Sequence, residues 1–320
     1  MQQEKVIIVG AGPCGMSCAI ELQKFGYRPL VIEKENIVNA IYNFPTHQTF
    51  FSSSEKLEIG DVAFITEKHK PVRNQALAYY RSVAERKQLR INTFEEVTSV
   101  KKTNNGFHVR TEKQEYEADN VVIATGYYGQ PNMMGIPGEE LDKVMHYFKE
   151  GHPYFRKRVV VIGGKNSAVD AALELHKAGA EVTVIYRGSN YSESIKPWIL
   201  PEFDSLVRKE EVNMIFNGKV CNVTEEAIVY EVDGETKTIP NDYVFAMTGY
   251  RPDISLLTSM GVEIDKDSGM PRFNERNYET NIPGIYIAGV VAAGFNNNKI
   301  FIENGRFHGE AIAKSIHSKS

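Results

Sequence analysis

Cysteine is scarce in this chain, with 3 among 320 residues. Cys14, Cys18 and Cys221 cannot build a disulfide framework and show no metal-ligand spacing, so no metal centre is expected and a reducing cytoplasm suits the composition. Long apolar runs are missing as well, and none approaches the length that spans a bilayer. The opening MQQEKVIIVGAGPCG enters a strand pattern without the basic, apolar and cleavage regions of a secretory signal. A soluble, cytoplasmic protein with no membrane partner is the expectation. Basic blocks are absent too, and a formal net charge of −4 leaves no electrostatic footprint for nucleic acid. What is present, 42% hydrophobic and 24% charged residues, is globular, and the length suffices for two domains with separate cores.

The first organised segment is the apolar run Val6–Val9, suited to a buried parallel strand, followed by Gly10-Ala11-Gly12-Pro13-Cys14-Gly15 and a helical pattern to about Phe25, where Gly26 stops it. A second β run, Arg28 to Ile32, ends at Glu33 with Lys34 beside it, close to the roughly 20 residues that separate such glycines from a ribose-binding acid. Gly10 allows the tight turn, Gly12 lets the backbone approach a diphosphate, and Gly15 lets helix and strand sit close. The helix N-terminus supplies unpaired N–H groups and a positive dipole end, so the anion needs no lysine.

A second start follows Arg158. Val159–Ile162 leads into Gly163-Gly164-Lys165-Asn166-Ser167-Ala168, a helix to about Ala178, Gly179 as its stop, and a strand from Glu181 to Tyr186. Lys165 stands where the second glycine belongs, and Ala168 is a permitted third. Where the first unit has its acid this one has Tyr186-Arg187, and an arginine there suits a 2′-phosphate, with Lys196 as a helper. NADPH is therefore expected over NADH.

Two strand-then-glycine segments, Val121–Gly126 and Tyr243–Gly249, and a third, Asn281–Gly289, would each bring a strand end beside a nucleotide. In this order they make the chain resemble the flavoproteins with two dinucleotide-binding domains, the class of thioredoxin reductases, ferredoxin–NADP reductases and flavin-containing monooxygenases. The resemblance implies an α/β fold with two Rossmann-like domains: an FAD domain from both chain ends, residues 1–150 and 251–320, and an NADPH domain inserted at 151–250. It further implies FAD diphosphate on the loop of Gly10, Gly12, Pro13, Cys14 and Gly15, adenosine ribose on Glu33, and adenine near Val97. Flavin contacts are expected around Gly289, with His47 in a region that faces the flavin, and Thr125 and Gly126 are expected as cofactor-binding residues at a strand end beside a nucleotide. NADPH falls to Gly163, Gly164, Asn166, Ser167, Ala168, Arg187 and Lys196. The class usually follows its last glycine with aspartate, whereas this chain has Val290.

No Cys-x-x-Cys is present, which excludes the dithiol relay of thioredoxin reductases. The segments GAGPCG at Cys14, GGKNSA from Gly163, Ser194–Pro201 after Tyr191-Ser192, and Lys299–Arg306 resemble the YpdA-type bacillithiol disulfide reductases. That resemblance implies an NADPH-dependent flavoenzyme returning bacillithiol disulfide to its thiol with bacilliredoxins; a homo-oligomer is the expected assembly. Cys14 is the candidate redox residue because a helix N-terminus favours a thiolate, although a bound diphosphate at the same helix end opposes it. Three alternatives stay open on the sequence: a ferredoxin–NADP reductase, a flavin monooxygenase suggested by His146-Tyr147, and a flavin redox sensor without turnover.

Overall fold

The computed structural model describes residues 1–296 and 298–320. The run Val6–Val9 forms the inner half of strand β1 (Gln2–Val9), with all four side chains buried. Alternate positions serve opposite faces, as a strand covered on both sides requires. Val6 and Ile8 pack with Cys18, Ala19 and Leu22, while Ile7 and Val9 pack with Val100, Phe107 and Val109. Each such side chain stabilises the fold by about 1.5–3 kcal/mol through removal from water.

After β1 come helix α1 (Pro13–Lys24), β2 (Leu30–Ile32), α2 (Arg73–Arg86), β3 (Arg90–Asn92), β4 (Val97–Thr103), β5 (Gly106–Thr111) and β6 (Glu115–Ile123). Strand β2 begins at Leu30, later than the Arg28 expected from the sequence.

The next part of the chain repeats the plan. It holds β7 (Val144–Met145), β8 (Arg158–Ile162), α3 (Asn166–Lys177), β9 (Glu181–Ile185), α4 (Leu200–Arg208) and β10 (Asn213–Ile215). An antiparallel meander follows, β11 (Lys219–Val223), β12 (Ala227–Val232) and β13 (Glu235–Pro240), and then β14 (Tyr243–Ala246). The parallel order is β10-β9-β8-β14-β7. Again parity divides the central strand: Val159 and Val161 pack with Ala168, Val169 and Ala172 of α3, and Val160 and Ile162 with Val220, Ile228 and Tyr230 of the meander.

The closing elements are β15 (Ile285–Ile287) and α5 (His308–Lys319). Strand β15 pairs in parallel with Val121–Ile123 of β6, whose earlier half pairs with β5, completing a seven-stranded sheet. Helix α5 lies close to α1, and a Cβ on Gly309 would sit 2.8 Å from Cα of Cys18. Cys18 is a buried core residue.

Two compact units result. One comprises Met1–Tyr42, Gln48–Gln130 and Tyr250–Ser320; the other comprises Asn43–His47 and Pro131–Gly249. The junction into the main part of the second unit falls at 130/131, ahead of the 150/151 read from the sequence, because the two-residue strand β7 pairs with β14 and carries its approach into the second unit. Among the described residues no helix is long and apolar enough to cross a membrane.

Candidate cofactor sites

In the first unit the turn after β1 is forced by contact. The Gly10 N–H donates to the Ile32 carbonyl at 2.8 Å, Gly10 adopts φ +109°, and a Cβ there would lie 2.5 Å from the Ala124 carbonyl oxygen. A Cβ on Gly15 would lie 2.1 Å from the Gly10 carbonyl oxygen, so only glycine lets α1 start this close to the strand. Gly12 differs: it caps α1 in an extended conformation, and a Cβ there would meet nothing within 4 Å. No side chain caps α1, and its first residue, Pro13, has no N–H to satisfy. An uncapped helix end opening from a side-chain-free residue fits a diphosphate.

The acid expected to hold the ribose is anchored in this turn. Glu33 accepts the Ala11 N–H at 2.8 Å through Oε2 and the Glu35 N–H at 3.0 Å through Oε1. Burial pushes its carboxyl up, and the two backbone donors offset part of that shift. Lys34 beside it is exposed, and Val97 is a buried residue at the start of β4. At the end of β6, Thr125 is exposed and Gly126 takes φ +73°.

Cys14 is the second residue of α1. Its sulfur lies 3.0 Å from where a Cβ on Gly289 would be and 2.9 Å from one on Gly305, so two glycines from the last part of the chain make room for it. Burial pushes the thiol up to about 12. Gly289 opens a single-turn helix with φ +77°, Val290 beside it is half-buried, and the Gly289 N–H donates to Nδ1 of His308 at 3.2 Å. His308 carries no signal in the sequence, since the contact joins positions 19 apart and leaves no periodic trace.

The second unit reproduces the first by register. Val9 is paired with Ile32, and Ile162 with Ile185, so Gly163 stands where Gly10 does and Tyr186 where Glu33 does. Gly163 has φ +136°, donates to the Ile185 carbonyl at 3.0 Å, and would place a Cβ 2.5 Å from the Met247 carbonyl oxygen. Lys165 occupies the place of Gly12, extended and exposed at the N-cap of α3, and no side chain caps this helix either. The open space at Gly12 explains why a lysine is tolerated there: the position has no close neighbour to displace.

The acid's replacement has its own packing. A Cβ on Gly164 would lie 2.3 Å from the Tyr186 ring, and one on Gly188 2.5 Å from it, so the ring lies against both glycines. No carboxylate therefore stands at this strand end, and exposed Arg187 follows immediately. Ser167 is exposed and Ala168 is buried. The Asn166 amide donates to the Ser194 carbonyl at 2.8 Å and accepts the Lys196 N–H at 2.9 Å. Lys196 is half-buried, with Nζ 5.9 Å from the Trp198 ring centroid.

His47, expected near the flavin, is grouped with the second unit. Its Nδ1 is 3.7 Å from Glu174 and its ring lies edge-on to Phe148. Burial pushes its pKa down against the pull of that carboxylate.

Comparison with known proteins agrees with this geometry. The family model for pyridine nucleotide-disulphide oxidoreductases matches residues 7–289. Bacilliredoxin reductase Bdr of Bacillus subtilis (strain 168) is 64% identical over 318 residues, 99% of this chain and 98% of that protein. The structure of bacillithiol disulfide reductase Bdr (YpdA) from Bacillus cereus aligns with a TM-score of 0.98 at 64% identity, covering 100% of both chains. Thioredoxin reductase from T. acidophilum aligns with a TM-score of 0.79 at 25% identity, covering 100% of this chain and 99% of that one. With the repeated strand, glycine turn and helix at 6–33 and 159–186, these likenesses place the chain among the pyridine nucleotide-disulphide oxidoreductases, in the YpdA-type bacillithiol disulfide reductase family.

Proposed function

We propose that the chain is an NADPH-dependent flavoprotein that returns bacillithiol disulfide to its thiol in a reducing cytoplasm, with FAD on the first unit, NADPH on the second and a bacilliredoxin as protein partner. One observation carries this reading: two uncapped helix ends entered through the same glycine turn, the first followed by Glu33 and the second by Tyr186-Arg187. When bound, the two cofactors supply the two electrons that convert a disulfide into two thiols.

The residues' parts follow from their geometry. The first-turn N–H groups of α1, past the opening at Gly12, hold one diphosphate, and those of α3 beside Gly163, Gly164 and Ser167 hold the other. Glu33, fixed by the Ala11 and Glu35 N–H groups, keeps acceptor capacity for a ribose hydroxyl. Val97 borders the adenine. Gly289 and Val290 meet the flavin through the backbone, because valine has no polar side-chain atom to offer. Arg187 and Lys196 take the 2′-phosphate that a carboxylate in place of Tyr186 would repel.

Cys14 is the proposed thiol relay. Its thiolate would attack one sulfur of the substrate and release one bacillithiol thiolate, leaving a mixed disulfide on Cys14 whose S–S bond two electrons and two protons would then cleave, freeing the second bacillithiol and restoring the Cys14 thiol. A thiol at about 12 is protonated at neutral pH, so its proton must leave as the substrate arrives.

The test is NADPH oxidation by the purified protein with bacilliredoxin present. Consumption that depends on bacillithiol disulfide is expected. Equal rates with and without the disulfide would overturn the substrate assignment.

A further inference from the structure

The loop after β9 is fastened to the start of α3 by one side chain. Asn166 is the first residue of that helix, and its amide bonds the backbone on both sides of Ile195: Nδ2 to the Ser194 carbonyl and Oδ1 to the Lys196 N–H. Ile195 itself is 4% exposed and packs into the core with Val169, Leu173 and Phe203. The Ser192 hydroxyl, 2.8 Å from that of Ser194, tightens the same turn. Three fastenings thus leave Lys196 a narrow choice of places.

Helix formation does not require this asparagine. At the equivalent register in the first unit stands Pro13, which starts α1 with no side-chain bond at all. A primary amide with its donor and its acceptor both spent on a loop 28 and 30 residues away has another use. What distinguishes the second unit is the nucleotide it takes. Its strand end carries no carboxylate, and the fastened loop brings a lysine backbone within one side chain of the helix end, where a flexible ammonium can meet a phosphate as a point charge.

We propose that Asn166 is a positioning residue for cofactor choice: by stapling Ser194 and Lys196 to the start of α3, it presents Lys196 to the 2′-phosphate of the nucleotide. This rests on the reading that the second unit takes NADPH. Asn166 acts through the loop and need not touch the nucleotide. The first unit, with proline at this position, has no such arm.

The experiment measures binding rather than turnover. The purified flavoprotein is titrated calorimetrically with 2′-phospho-ADP-ribose and with ADP-ribose, as wild type, Asn166→Ala and Asn166→Pro. The proline variant copies the residue with which the first unit begins its helix, so it tests the amide with the helix start retained. Wild type is expected to prefer the 2′-phosphorylated ligand, and each variant to lose about tenfold of that preference, the equivalent of two lost hydrogen bonds. Adding Lys196→Met to Asn166→Ala should reduce the preference little further, because both changes disable one arm. A preference kept in both variants, or equal weakening of both ligands, overturns the inference and leaves the NADPH reading standing. No preference in wild type overturns both.

Discussion

Nδ1 of His308 accepts the backbone N–H of Gly289 at 3.2 Å, and its ring stacks on Tyr278 with 4.1 Å between centroids. The acceptor must be unprotonated, and burial holds the imidazole down at about 4, against an ordinary 6.5. Between those values the unfolded chain binds a proton that the folded chain refuses, so this contribution is present in full above pH 6.5 and is lost as pH falls towards 4. From pH 7 to pH 5 the loss is roughly 2 kcal/mol. In urea unfolding, the stability gap between wild type and His308→Gln should shrink by about that amount over this interval. A gap that does not move with pH would show that His308 is not held neutral.

Gly12 and Gly15 make opposite predictions. Gly15→Ala drives a Cβ to 2.1 Å from the Gly10 carbonyl oxygen, and should cost about 2–4 kcal/mol of stability by displacing α1 from the strand. Gly12→Ala meets only open space and keeps an allowed φ of −73°, so unfolding should be nearly unchanged while the flavin absorbance per protein falls. Full flavin content in Gly12→Ala would show that the ligand does not pass within reach of a Cβ at this position, as Lys165 already allows in the second unit.

Cys14 should be inert in the substrate-free protein. A thiol at about 12 instead of the usual 9.0 has roughly 1,000-fold less thiolate at neutral pH, so iodoacetamide labelling should rise about tenfold per pH unit with no plateau below pH 10. Peptide mass spectrometry reads that rate directly. With Cys14→Ala, anaerobic NADPH should still bleach the flavin while disulfide turnover is lost. Unchanged turnover would eliminate the relay.

Arg187→Leu should raise the Michaelis constant for NADPH far more than that for NADH, because only the first carries the 2′-phosphate. Equal effects on the two would detach Arg187 from that group.

The parts legible in the sequence are those written in short-range pattern. Val6–Val9 with its glycines, and Val159–Ile162 with its own, announce buried strands feeding helices, and β1, α1, β8 and α3 form there. The replacement of an acid by Tyr186-Arg187 is equally local. Other features depend on contacts between distant positions. The 130/131 junction rests on a two-residue strand too short for any periodicity, and the grouping of His47 rests on contacts with Phe148 and Glu174. Asn166 reads as a nucleotide contact in GGKNSA, while the structure commits its amide to Ser194 and Lys196. Side-chain to backbone bonds of this kind carry no spacing rule.

The discontinuity of the first unit sets an order of events during translation. Once β14 has left the ribosome the second unit holds every strand of its parallel sheet, whereas part of the β6 edge still waits for β15 and α1 for α5. A nascent chain halted near Gly249 therefore carries a finished interior piece and an earlier piece with a bare edge and an uncovered apolar helix, the state in which chaperones would find it.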